Sequence, residues 1–155
     1  MIEPLIKIIE VNCSQKTAFN IFIKEMHTWW PLEKFTTTAF TGAAAKTIRV
    51  EAKMGGQIIE VSPDGTEYNW GTIEKYDPYD FIGMKFHIPH PQEVVKERSD
   101  VEVRFTELSK DKTRVELRQT NWEAFGKRAK MLLGGYGAGW DLIFLVCYKN
   151  KCERK

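Results

Sequence analysis

Residues 70–86 read WGTIEKYDPYDFIGMKF, and how this stretch is parsed decides the fold. β-branched and aromatic residues fill both halves, Asp77-Pro78 breaks them in the middle, and Ile82, Met84, Phe86 and Ile88 recur at every second position. Alternate residues of a strand share a face and Pro favours turns, so the stretch predicts two strands of a hairpin. The same grammar runs outward in both directions. KTIRVEA (46–52), GQIIEVS (56–62), SDVEVRFTEL (99–108) and TRVELRQT (113–120) are rich in strand-forming residues. Turn chemistry separates the runs at Met54-Gly55-Gly56, Pro63-Asp64-Gly65 and Ser109 to Lys112. Val101, Val103 and Phe105, then Val115 and Leu117, fall on one side with charged residues between them. An antiparallel meander is predicted, apolar on one face and wet on the other.

Helical periodicity flanks the meander. After a first strand at IKIIEV (6–11), Ser14 can cap a helix whose stripe is Phe19, Phe22, Ile23, Met26, Trp29 and Trp30. Pro31 disfavours helical geometry at Trp30 and stops the helix there. Successive helical residues lie about 100° apart, so the two tryptophans straddle the stripe. One ring can enter the core while the other closes over an opening; a two-ring core plug satisfies the same pattern. Beyond residue 122 the spacing of Phe125, Ala129, Leu132, Leu133, Tyr136, Trp140, Ile143, Phe144 and Cys147 is again helical. GGYGAGW (134–140) interrupts it. Glycine costs a helix about 0.8–1 kcal/mol relative to alanine, so this segment predicts a break and a close backbone approach.

The order is thus one strand, a helix, about six further strands and a long closing helix, an α+β architecture. A twisted sheet of this size curls, and a helix laid along its apolar concave side completes a two-layer domain over residues 1–155. Such a wrap can leave a hollow.

Composition bounds the function. The 155 residues are 43% hydrophobic and 28% charged, and the 12% aromatic share includes five tryptophans. A chain of this length buries about 68–70% of its unfolded surface, enough for one core. The net charge of +2 is spread over interspersed acids and bases, which predicts no basic face for nucleic acid. Cys13, Cys147 and Cys152 are odd in number and no secretion signal is apparent, so a soluble, cytoplasmic protein is expected. The longest apolar segment, LIFLVCY (142–148), falls short of a membrane span.

Familiar catalytic patterns are missing. Ser14, Ser62, Ser99 and Ser109 lie in no nucleophile elbow, and the cysteines form no CxxC. HIPH (87–90) offers two histidines without a third ligand at metal spacing, and reads as surface histidines at the start of the loop PHPQEVVKERSD (89–100). His27 beside the tryptophans is a lone acid–base candidate. No metal or cofactor is expected.

Taken in order, WWP (29–31), EAKMGG (51–56), DG (64–65), WGTIEKYDPYDFIGMKF (70–86), TRVELRQTNW (113–122) and GYGAGWDLI (135–143) resemble one family. It is the helix-grip fold of the START and birch-pollen-allergen superfamily (SRPBCC), in the branch similar to the C-terminal domain of the activator of the 90-kDa heat-shock protein ATPase. The resemblance implies a cavity between the curved sheet and the last helix, in a superfamily that binds or processes hydrophobic small molecules. It implies that Trp29 and Trp30 lie near the mouth, that Trp70, Met84 and Phe86 line the sheet side, and that Tyr136 and Trp140 come from the closing helix. Phe35, Tyr68 and Trp122 complete the expected ligand-contacting set, with the Tyr68 and Tyr136 hydroxyls and the indole N–H groups as polar handles. Two departures stand out. The eukaryotic activators carry a separate chaperone-gripping domain for which this chain has no room, and Phe86-His87 stands where the family pattern has a tryptophan. The function expected is non-catalytic binding of a hydrophobic small molecule. A cyclase- or dehydratase-type enzyme and a chaperone-associated interaction domain are the alternatives.

Overall fold

A computed structural model describes residues 2–93 and 96–154. Val94 and Val95, inside the predicted 89–100 loop, lie outside the described residues. Among the described residues seven strands form one antiparallel sheet: β1 (Leu5–Val11), β2 (Thr47–Val50), β3 (Gln57–Val61), β4 (Glu67–Asp77), β5 (Phe81–Phe86), β6 (Ser99–Ser109) and β7 (Lys112–Thr120). Their order is β1-β7-β6-β5-β4-β3-β2. Strands β2 to β7 are the predicted meander, and β1 joins its far edge with Leu5 opposite Gln119 and Val11 opposite Thr113. Register shifts at Ile58/Ile59, Ile73/Lys75 and Glu107/Ser109 sit within it; irregularities of this kind bend a strand and increase its twist.

The alternation holds. Ile82, Met84, Phe86, Val101, Val103, Phe105, Val115 and Leu117 are all buried on the concave face. Lys85 pairs with Asp100 at 2.5 Å on the opposite face.

The first helical region differs from the single helix expected. Ser14 caps α1 (Gln15–Lys24), its hydroxyl oxygen accepting the Thr17 N–H at 3.1 Å. The helix then breaks at Glu25 (φ −121°, ψ 25°) and resumes for one turn as α2 (Met26–Trp29). Trp30 is extended (φ −67°, ψ 133°), as a residue preceding proline should be.

The closing element corrects another expectation. No break occurs at GGYGAGW: α3 (Ala129–Leu142) runs straight through it. The chain turns its corner earlier, at Gly126 (φ 58°, ψ −125°), within a 3-10 segment Trp122–Arg128. After α3 a π-helical stretch, Ile143–Tyr148, leads into α4 (Lys149–Glu153). This helical run of 32 residues is long and apolar enough to cross a membrane by length and composition alone. Its Trp140, Ile143, Phe144 and Tyr148 are instead buried against the sheet and α1. The Tyr148 hydroxyl donates to the Ala18 carbonyl at 2.7 Å, tying the run to α1.

Candidate functional site

The aromatic excess is spent on an interlocked core. Trp30 is its hub, with ring centroids 5.8 Å from Trp29, 5.0 Å from Trp70 and 5.7 Å from Trp140. Phe86 lies 5.9 Å from Trp140 and closes the group. None of these five rings is more than 5% exposed. Tilted and edge-to-face pairs of this kind add about 0.5–1.5 kcal/mol each beyond the area they bury. Every indole N–H is also taken by the protein: Trp29 donates to the Ile21 carbonyl (2.8 Å), Trp30 to the Phe35 carbonyl (2.8 Å) and Trp70 to the Glu60 carboxylate (3.0 Å). Trp122 donates to the Gln119 carbonyl (3.1 Å) and Trp140 to the Gln119 side-chain oxygen (2.8 Å).

Empty space lies beside this core. A cavity of about 290 Å³ separates the segment after Pro31 from α3. Lys34, Phe35, Thr36 and Phe40 form one wall and Ile88 a second. Met131, Leu132, Gly135, Tyr136, Gly139 and Ile143 form the third, along the closing helix. Phe40 and Met131, 61% and 65% exposed, stand at its rim, so it opens to solvent. At Gly139 a β-carbon would lie 3.4 Å from the Phe35 ring, a van der Waals contact with a side chain instead of the close backbone approach expected. At Gly135 a β-carbon would meet nothing within 4 Å. The helix contributes no side chain to that part of the wall.

Of the expected contact set, Phe35 and Tyr136 line this cavity. Trp29 and Trp30, expected at a mouth, are buried with Trp70, Phe86 and Trp140, and Met84 lies in the same core. Trp122 belongs to a small separate cluster with Phe125 and Ala129. Tyr68 is half-buried near the start of β4, opposite Glu60 and outside the cavity lining. Sequence reasoning missed Phe40, Ile88, Met131, Leu132 and the two glycines. For the helical ones among them the signal was the three- and four-residue spacing of Leu132, Gly135, Tyr136, Gly139 and Ile143, legible once the glycine segment is read as helix.

Three threonines and one acid fix the wall that carries Phe35 and Phe40. Glu60 has no exposed surface. Its carboxylate accepts the Thr37 and Thr38 backbone N–H groups, each at 2.7 Å, and the Thr38 hydroxyl at 2.5 Å, besides the Trp70 indole. Thr37 donates its hydroxyl to the Pro89 carbonyl at 2.8 Å, and Thr36 accepts the Ala39 N–H at 3.1 Å. Phe40 packs on His90 with centroids 4.8 Å apart.

The polar edge of the cavity is a chain of four side chains. The Tyr136 hydroxyl accepts the Ile88 N–H at 2.8 Å and lies 2.9 Å from His87 Nδ1. His87 Nε2 is 3.2 Å from Glu93, which pairs with Arg128 at 3.1 Å. His87 is 2% exposed, not the surface loop residue expected, and burial pulls its pKa below the ordinary value despite the opposing pull of Glu93. The neutral ring carries one proton; the carboxylate places it on Nε2, leaving Nδ1 to accept the phenolic proton of Tyr136. Burial raises the Tyr136 pKa and keeps the phenol protonated. For Glu93, burial pushes upward, but the His90 N–H, Arg128 and His87 outweigh it and hold the carboxyl below its usual range. Among the described residues no group of three or more His, Cys, Asp or Glu side chains is arranged to hold a metal.

Residues 12–144 match the sequence pattern of the family described as "Activator of Hsp90 ATPase homolog 1-like protein". The chain belongs to this family. No curated protein sequence matches it. Solved structures similar to this Hsp90-activator-homologue-like chain include an anthrahydroquino-gamma-pyrone synthase, Txn09, at 24% identity, 96% coverage of both chains and TM-score 0.66. The self-sacrificing resistance protein CalC from Micromonospora echinospora is 25% identical, covering 96% of this chain and 93% of its own, with TM-score 0.67. PFC0360w, an Hsp90 activator from Plasmodium falciparum, is 18% identical over 76% of this chain and 72% of its own, with TM-score 0.51. The shared fold is the helix grip.

Proposed function

We propose that this chain binds a hydrophobic small molecule in the cavity between the Lys34–Phe40 segment and α3. The observation that carries the reading is the void of about 290 Å³ with largely apolar walls. Ligand pockets usually span about 300–1,000 Å³, so the occupant is a compact molecule of one or two rings rather than a long lipid chain. Phe35 and Tyr136 are the contacts named from the sequence that this reading keeps, and the tryptophans serve as scaffold.

Gly135→Leu tests it. Gly135 lines the cavity and a β-carbon there meets nothing within 4 Å, so a leucine has room to occupy the space and should weaken binding of a small aromatic probe at least tenfold in calorimetric titration. Wild-type protein that takes up no member of a broad apolar panel, or a variant that binds as well as wild type, would sink the reading.

One observation favours an enzyme instead: the Tyr136–His87–Glu93 chain at the cavity edge has the base-and-orienter order used in general acid–base catalysis. The synthase among the structural neighbours fits that reading as an analogy of fold. Tyr136→Phe separates the two. Unchanged probe affinity with loss of any turnover measured on the bound molecule assigns catalysis; no turnover in wild type leaves a binding protein. A chaperone partner rests on the family description, and an ATPase assay with a 90-kDa chaperone measures it.

A further inference from the structure

The last helix and the first strand are joined by a second, unrelated cluster. Cys13 follows β1 and is half-buried; Cys152 lies on α4 and is 4% exposed. Both pack into the same core, and the two thiols lie near enough for each to shift the other's pKa. The backbone on either side is pinned: the Asn12 N–H donates to the Glu153 carboxylate at 3.1 Å, and Thr113 donates its hydroxyl to the Cys13 carbonyl at 2.9 Å. Cys147, the third thiol, is also half-buried but has no part in this contact.

We propose that Cys13 and Cys152 are a redox-active dithiol, which a small disulfide of the glutathione type converts into an intramolecular disulfide linking β1 to α4. A disulfide needs α-carbons about 4.4–6.8 Å apart, a demand that chain segments already hydrogen-bonded side by side can meet with little movement. Cys13 is the attacking thiol. It is the more exposed of the two, and the neighbouring Cys152 thiol lowers its pKa against the opposing effects of burial and Glu153. The Cys13 thiolate attacks one sulfur of the small disulfide, forming a mixed disulfide and expelling one thiolate. Cys152 then gives its proton to that thiolate and attacks the Cys13 sulfur, expelling the second thiolate. Two protein thiols are oxidised and one small disulfide is reduced to two thiols, so electrons and protons balance.

The dithiol lies beyond the π-helical turn from the cavity, so its oxidation is read independently of ligand binding. Incubation in glutathione disulfide, followed by peptide mass mapping, should give a Cys13–Cys152 cross-link with loss of two hydrogens and an unmodified Cys147. The closed loop spans most of the chain, so the thermal midpoint should rise by about 5–10 °C over the reduced protein. Cys13→Ser should abolish both changes, and Cys147→Ser should leave both intact. A stable glutathione adduct on Cys13 with Cys152 still reduced, a cross-link through Cys147, or three unmodified thiols at high oxidant would each overturn the proposal.

Discussion

Glu60 is a carboxylate with no exposed surface whose hydrogen-bond partners all belong to the protein. Removing the acceptor strands two backbone N–H groups, a hydroxyl and an indole, each at a cost of about 1–3 kcal/mol where water cannot replace it. Partial relaxation lowers the sum, so Glu60→Ala should lose about 3–5 kcal/mol in urea denaturation, and Glu60→Gln, which keeps one acceptor oxygen, less. Both should weaken probe binding by loosening the Phe35 wall. Strand parity places Glu60 on the same face as Ile58, so its inward direction was legible; its partners, set by a loop some twenty positions upstream, were not. His87 carries a pH dependence whose sign follows from its lowered pKa. The folded state prefers the neutral ring, so this stability is complete above about pH 6.5 and is lost as pH falls from there toward the folded pKa. Glu93, also lowered, adds a loss at more acid pH, below the usual carboxyl range. Urea midpoints between pH 8 and 5.5 should fall in wild type and fall less in His87→Gln.

At the level of elements, what the sequence made plain is what local periodicity controls. Ile82, Met84 and Phe86 alternate, and the strand they predict is there; Ser14 caps α1 as its side-chain chemistry requires. Glycine in the closing helix misled because propensity is a weak term that packing overrides. Gly139 gains contact with the Phe35 ring, and the surrounding Tyr136, Trp140 and Ile143 hold the helix on the sheet. Gly135 has no such compensation. Gly135→Leu should therefore strengthen the helix by a few tenths of a kcal/mol to about 1 kcal/mol while it removes binding, a rise in thermal midpoint that distinguishes a filled cavity from a damaged fold.

Over the whole molecule the α+β grip was legible because one apolar sheet face demands a cover and only the last helix is long enough to supply it. The site was less so. An excess of aromatic residues marks where a chain buries surface, and here Trp30, Trp70, Phe86 and Trp140 pack ring against ring. Emptiness is instead written in what a chain leaves out, and Gly135 beside Tyr136 is such an omission. Tyr136 was named because a family resemblance, not periodicity, pointed to the closing helix; it and Phe35, named from the sequence as well, line the cavity.

The position of β1 has a consequence for biosynthesis. It leaves the ribosome well before β7, its strand partner among the described residues, since Leu5 pairs with Gln119. The hairpins β2 to β6 can assemble as they emerge, while Ile9 and Val11 keep their apolar side chains uncovered until β7 has been made. For that interval the nascent polypeptide presents an uncovered apolar strand, and a ribosome-associated holdase is the natural agent to shield it.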